Sequence, residues 1–441
     1  MTPYPKYKPS GIEWLGDIPE HWEVDKIKYH ADIVNGSTPK SDKVDYWDGD
    51  IIWITPEDLG NINSIEIVDS KRRITNAGLN SCGTSLTPSG SLIISTRAPI
   101  GHIAISTNVT CTNQGCKSIV IKNRFLQNYF LYYYLFIAKD ELQSLGQGST
   151  FQELQGFRLK NFKLPLPSVE EQESIKFFIN HRTRLIDTLI SKKQKLIDLL
   201  KEYRTAIINH AVTKGFDPNV KMKDSGIEWL GDVPDGWIIT SLKRLVQTKI
   251  TDGPHETPIF VDDGVPFISA EAIQNGGINF SSKRGYISKE LDIQYSTKCK
   301  PKRDDIFIVK SGSTTGKIAI VDTDENFNIW SPLALVRPNS KISAWYLYYA
   351  LQSSYFQCQI QTKWSFGTQP NIGMNIIENL QVAFPPMLLE QQEIVNYIIT
   401  KFRSLDVQIE KEQNFIGYLK EYRTALISEV VTGKVKVTED D

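Results

Sequence analysis

The sequence predicts an α+β chain made of one unit written twice: two pseudo-symmetric mixed α/β domains joined by two long helices in an antiparallel coiled coil. Three observations carry this. The phrase SGIEWLGDIPEHWEV at Ser10–Val24 returns as SGIEWLGDVPDGWII at Ser225, with its first eight residues identical. LKEYRTAII at Leu200 returns as LKEYRTALI at Leu419. Between these anchors, short apolar runs broken by Gly, Pro, Asn and Ser give way to one long stretch almost free of both Gly and Pro.

Further echoes keep the same order. GHIAI at Gly101 matches GKIAI at Gly316, YFLYYYL at Tyr129 matches WYLYYAL at Trp345, SKRRIT at Ser70 matches SKRGYIS at Ser282, and GSTFQ at Gly148 faces GTQPN at Gly367. A spacing of about 217 residues marks a duplicated domain rather than a short-period solenoid. The predicted parts are an N-terminal box over 1–19, a first domain over 20–167, a long helix over 168–212, a linker with the second box over 213–234, a second domain over 235–386, a distal helix over 387–432 and a tail over 433–441.

In the middles, DIIWIT, SLIIS, HIAIS and SIVIK read as strands, as do DDIFIVKSG and KIAIVD in the second copy. NYFLYYYLFIAKDELQSL and SAWYLYYALQSSYFQCQI each read as an aromatic helix. Core packing with polar tips reaching out is the simplest role for their tyrosines, and base stacking is the alternative.

The long stretches place apolar residues three and four apart, the mark of a helix with one apolar stripe. The expected seam runs through Leu185, Leu189, Leu196, Leu200 and Tyr203 on the first helix, and Leu405, Ile409, Leu419, Tyr422 and Leu426 on the second. Two such stripes are simplest buried against each other, antiparallel because the chain returns through a domain between them. Some 44 residues at ~1.5 Å each span roughly 66 Å, a spacer of fixed length.

Composition bounds the rest. A chain of 441 residues exceeds one ordinary core. Charged residues make up 23% and the net charge is −1, so any nucleic-acid surface must be a local patch. No apolar run approaches the ~20 residues of a membrane span, and the start lacks a signal-peptide core, so a cytoplasmic location is expected. The five cysteines, Cys82, Cys111, Cys116, Cys299 and Cys358, contain no C-x-x-C and are expected to be buried and reduced.

Enzymatic readings fail on spacing. In SGSTTGKIA, Gly312 and Gly316 are one residue too close for a phosphate-binding loop, and Ile318 follows Lys317. A strand-turn-strand corner explains this segment and its mate RAPIGHIA. AFPPM at Ala383 lacks the Asn or Asp and the aromatic of an amino-methyltransferase motif. No metal-binding or Ser-His-Asp pattern occurs. Glu171-Gln172 and Glu390-Gln391 sit at equivalent helix starts, where a capping role is expected.

Basic clusters do occur in the middles: Lys71, Arg72 and Arg73 in the first, and Lys283, Arg284, Lys298, Lys300, Lys302 and Arg303 in the second. Lys71-Arg72 and Lys283-Arg284 stand at equivalent sequence positions. Basic side chains on short polar loops suit phosphate contacts with base-edge readout between them, and solvated surface charge is the plainer alternative. The loop with Gln147, Ser149 and Thr150, and its mate with Thr368 and Gln369, are short, polar and suited to a groove, with plain turns as the alternative. Ser37, Thr38, Arg97, His255 and Thr314 complete the candidate DNA-binding set.

The two boxes, the G-(H/K)-I-A-I corner, LP-x-P followed by EEQ-x-x-I, and the closing LKEYRTALISEVVTGKV together resemble the specificity subunit of type I restriction-modification systems. The resemblance covers essentially the whole chain, twice. It implies two target-recognition domains, each reading one half of a bipartite, asymmetric site in double-stranded DNA, with the coiled coil setting the unread spacer. It also implies a subunit that is not an enzyme by itself. Its partners would be two methyltransferase subunits using S-adenosylmethionine and two motor-nuclease subunits using ATP and Mg2+, with no cofactor on this chain. A specificity subunit of another defence system, a self-sufficient restriction or methylation enzyme, and a purely structural coiled-coil scaffold are the alternatives. Single base contacts do not carry over, because recognition domains are the family's variable part. The two boxes are expected to pack each domain against a helix end, or to seat one methyltransferase subunit each.

Overall fold

A computed structural model describes residues 2–62, 64–147, 153–366 and 369–437. The chain divides into two units: residues 1–193 with 414–441, and residues 194–413. Each holds one α/β domain and half of each long helix.

Both domains are built on one plan. In unit 1 the main sheet orders its strands Ala31–Asn35, Cys116–Ile121, Leu92–Ser95, Ile103–Ser106 and Glu66–Ile67. In unit 2 the order is Thr251–Asp252, Leu333–Val336, Ile306–Val309 and Ile318–Ile320. The ladders match residue for residue. Leu92 faces Ile119 where Ile306 faces Val336, and Asn35 faces Lys117 where Asp252 faces Ala334. These pairings give a structural equivalence that does not depend on sequence likeness.

The central strands are buried on both faces: Leu92–Ser95 and Ile306–Val309 expose no side chain, which explains their unbroken apolar runs. The phosphate-loop look-alike is a hairpin corner in both units. Gly101 donates its N–H to Ser95 O at 3.0 Å and Gly316 to Val309 O at 2.8 Å. Both glycines have positive φ, 92° and 95°. The aromatic helices Asn128–Ile137 and Ala344–Gln352 pack into the cores. Tyr134 and Tyr346 are fully buried and donate their hydroxyls to the carbonyls of Lys163 and Ala383. This settles the choice in favour of core packing; base stacking is excluded for these buried rings. Cys111, Cys116 and Cys299 are buried thiols, while Cys82 and Cys358 are only half-buried.

The long helices run Val169–Lys214 and Leu388–Val431. Capping is one part of the role of the repeated Glu-Gln pair. Glu171 accepts at 3.3 Å from Ser168 N while its own N–H bonds Ser168 Oγ at 3.2 Å, a capping box. Its carboxylate also takes the indole N–H of the buried Trp22, as Glu390 takes that of Trp237. Gln172 and Gln391 are fully buried. Each accepts one backbone N–H (Gln127, Ser343) and donates to two carbonyls (Phe125 and Pro167; Lys341 and Pro385). The pair thus ties each helix start to the domain from which it emerges.

Each unit contains an antiparallel helix pair. In unit 1 Arg423 meets Asp187 at 2.6 Å, and in unit 2 Arg204 meets Asp406 at 2.7 Å. The seam corrects the sequence expectation. Leu185, Leu189, Tyr203 and Tyr422 are exposed. The packed positions in unit 1 are Ile186, Ile190, Ile416, Leu419 and Leu426, and those in unit 2 are Ile197, Leu200, Ile207, Ile398, Phe402 and Leu405. Of the expected seam, Leu405 and Leu426 are buried and Leu196, Leu200, Ile409 and Leu419 half-buried. The true 3-4 repeat passes through Lys193 and Arg204. Their charged ends lie over Phe415 at 5.2 Å and over Phe402 at 4.0 Å. A charged residue whose stem covers an aromatic ring fills a seam position without looking apolar.

The boxes pack, as expected. Leu15, Ile18 and Trp22 share the unit 1 core with Val430 and Val431 from the end of the second helix, and Leu230, Val233 and Trp237 share the unit 2 core with Ala211 and Val212 from the end of the first. Among the described residues no helix is long and apolar enough to cross a membrane.

Candidate nucleic-acid interface

In both units the first sheet strand is followed directly by a glycine pressed against its neighbour. A Cβ on Gly36 would lie 1.9 Å from Asn113 O, and one on Gly253 would lie 1.9 Å from Ile329 O. Only glycine permits this approach, which fixes the loop that follows.

In unit 1 that loop carries Ser37 and Thr38. Ser37 donates its N–H to Thr112 O and takes the Trp53 indole N–H on its carbonyl, both at 3.0 Å. The Thr38 hydroxyl bonds the exposed Gln114 side chain. Next in line, Gly115 O accepts the N–H groups of Thr96 and Arg97, and Arg97 Nε bonds Glu153 at 3.0 Å. Glu153 pairs with Gln147 through two backbone bonds. On the other side Trp53 packs edge-on against Trp47, centroids 5.2 Å apart, and the Arg72 guanidinium lies 3.7 Å over the Trp47 ring. Ser37, Thr38, Arg72, Arg97 and Gln147 are therefore joined by one chain of contacts, which includes the exposed Gln114 and rests on the buried Trp47 and Trp53.

Lys71 and Arg73 are not free charges. Lys71 meets Glu57 at 2.7 Å and Arg73 meets Asp69 at 2.7 Å, and each carboxylate raises its partner's pKa. The expected equivalence of the clusters is also shifted. Arg73 faces Ile52 while Tyr286 faces Pro266, so the mate of Lys71 is Arg284 and the mate of Arg72 is Gly285. A Cβ on Gly285 would meet the Phe260 ring at 2.5 Å, so that place is taken.

In unit 2 the loop after Gly253 carries His255, whose ring lies 3.0 Å from Asp252. Asp252 also meets Lys298 at 2.6 Å and Lys310 at 3.0 Å. Burial pushes this carboxyl up, but the two ammonium groups more than offset it and hold it below its ordinary value. The Trp330 indole donates to Glu256 O, and Arg284, paired with Glu271, lies 5.4 Å from the Trp330 ring. Lys283 lies over Tyr286. Beside Lys310, Ser311 pairs with Asn371, and Thr314 sits in the hairpin corner next to this bridge. Gln369 is exposed just before it. Lys300 serves the interior of the domain. It meets Asp292 at 2.8 Å, and Asp292 also binds Asn328, joining a helix to a strand. Arg303 is paired with Asp324 at 2.7 Å. Ser149, Thr150 and Thr368 lie outside the described residues.

Sequence reasoning missed Asn35, Gln114 and Lys117 in unit 1 and Asp252 and Lys310 in unit 2. The signal was present in Asn35-Gly36 and Asp252-Gly253, which stand 217 residues apart as the other repeats do.

The family of the type I restriction modification DNA specificity domain matches residues 19–199 and 234–415, one match for each copy, and the chain belongs to it. It is 29% identical over 430 residues to the type I restriction enzyme MjaIX specificity subunit of Methanocaldococcus jannaschii, covering 96% of both chains. Among solved structures, a chain of a type I R-M system matches with TM-score 0.67 at 18% identity, over 95% of this chain and 99% of that one. The HsdS subunit of Thermoanaerobacter tengcongensis matches with TM-score 0.53 at 17% identity, over 95% and 98%.

Proposed function

We propose that this chain is the DNA sequence-recognition subunit of a type I restriction-modification complex. Each unit reads one half of a bipartite, asymmetric site, and the paired helices set the unread spacer. One observation carries the reading. The two units repeat the same backbone frame down to the pressed glycine, yet that frame offers Ser37, Thr38 and Gln114 in one unit and Pro254, His255 and Ser331 in the other. A shared frame with different side chains suits two different half-sites.

Scaffolding rests on the long helices. One position before the packed seam, exposed apolar side chains recur: Leu185, Leu189, Phe415, Tyr418 and Tyr422 in unit 1, and Leu199 and Tyr203 in unit 2. Such a stripe suits helices of the methyltransferase subunits. S-adenosylmethionine, ATP and Mg2+ then belong to the methyltransferase and motor-nuclease partners, and a cytoplasmic location follows from the role. Methylome sequencing of cells carrying the complete system tests the reading: it predicts adenine methylation that depends on this chain. Methyl transfer by the purified chain alone would favour the self-sufficient enzyme instead.

A further inference from the structure

Unit 2 contains a cavity of about 690 Å³. Lys249, Lys298, Lys300, Lys302 and Arg337 line it, with Asp252 as the one lining carboxylate. Three of these cations are fixed from behind. Lys298 holds Asp252, Lys300 holds Asp292, and Arg337 makes two bonds of 2.7 Å to Asp305. The remaining two, Lys249 and Lys302, are exposed, and their ammonium groups make no hydrogen bond or ion pair among the described residues. Five cations thus meet three carboxylates, and the surplus faces the cavity. Thr251 and Ser296 add hydroxyl groups to the wall.

The fold does not require this. By the matched ladders, Arg337 corresponds to Val120, while Lys249 lies where unit 2 gains two residues between the Thr251–Leu335 pair and the Val246–Pro338 bridge, an insertion the unbroken unit 1 ladder lacks. Counting back from the paired strands Leu92–Ser95 and Ile306–Val309, Lys300 and Lys302 correspond to Leu86 and Pro88. Where unit 2 places Lys300, Lys302 and Arg337, unit 1 has the uncharged Leu86, Pro88 and Val120. The cavity also adjoins the candidate interface, because Lys298 Nζ bonds Gly253 O at 3.0 Å in the loop that carries His255.

We propose that this cavity is a phosphate-binding site, with Lys249 and Lys302 as the groups that meet the anion. The ligand chemistry is a phosphate ester or polyphosphate, from either the DNA backbone beside the second half-site or a free nucleotide. The DNA arm rests on the function proposed above; the nucleotide arm does not.

The test uses the full chain and its K249Q/K302Q variant. Both lysines are exposed and unpaired, so unchanged thermal unfolding is expected. Binding of a random-sequence duplex is measured against salt, and binding of inorganic pyrophosphate and of ATP by calorimetry. If the source is DNA, the variant lowers the slope of log K against log salt by about one per lysine lost and weakens binding about tenfold or more at low salt. If the source is a free nucleotide, pyrophosphate and ATP binding is lost while the duplex slope is unchanged. Wild-type values for all three ligands in the variant overturn the proposal. A wild-type chain that ignores duplex but binds pyrophosphate through these lysines would overturn the proposed function and keep the site.

Discussion

Lys117 stands on one strand of its repeat and Lys310 just past the end of a different one, and yet they secure the same backbone position. Lys117 Nζ lies 3.2 Å from Asn35 Oδ1, and Lys310 Nζ lies 3.0 Å from Asp252 Oδ2, where Asn35 and Asp252 are ladder equivalents. The ladder mate of Lys117 is Ala334, and that of Lys310 is Thr96. The side chains are only 8% and 12% exposed, and burial lowers the Lys117 pKa. Two separate routes to one ammonium position mark that position as required by the loop it steadies.

The two arrangements should therefore be exchangeable. In unit 1, Lys117→Ala is expected to loosen the Ser37–Thr38 loop and weaken recognition of the first half-site at least tenfold. Adding Thr96→Lys is expected to restore most of it, because the ammonium then arrives as Lys310 does. Binding of a duplex bearing the methylome-derived site measures both, and a double variant no better than the single would show that the positions are not interchangeable.

The domains and helices were legible because apolar period, turn residues and the repeat itself all pointed one way. The seam was legible only in outline. Lys193 and Arg204 occupy packed positions, and period reading sorts by polarity, so the stripe was drawn one residue early at Leu185, Leu189 and Tyr203. The candidate surface was half legible. Arg72 and Arg97 announced themselves by charge, but Gln114 is a neutral residue whose importance comes from the loop beside it.

The pressed glycines are expected to tolerate no side chain. Gly36→Ala and Gly253→Ala each force a carbonyl to move, at a cost of roughly 1–3 kcal/mol. Chemical denaturation should register that loss in either variant, and each should impair only its own half-site.

Removing the buried amides should loosen the domain at the helix start. Gln172→Ala or Gln391→Ala leaves one backbone N–H and two carbonyls without their amide partner, so about 1–3 kcal/mol of stability is expected to go. The lower midpoint in urea reads this directly, and a change below about 0.5 kcal/mol would show that water replaces the amide.

Acid should release unit 2 through Asp252. Its folded pKa is depressed, so its contribution is complete above the unfolded value of about 3.9 and disappears as pH falls through the lower folded value. Between about pH 4 and 2 the wild type is expected to lose more stability than Asp252→Asn. Parallel stability curves over that window would refute the assignment.

Seven residues inserted at matching places in both long helices keep the 3-4 seam in phase and add about 10 Å. The unread spacer is expected to grow by about 3 base pairs at ~3.4 Å each, with both half-sites unchanged.

Two matched frames carry two different readings, and methylome sequencing of cells carrying this chain with its partner subunits tests that most directly. Adenine methylation is expected at one motif of two unlike specified parts separated by unread bases. A continuous motif, a palindrome of identical halves, or methylation that persists without this chain would contradict it.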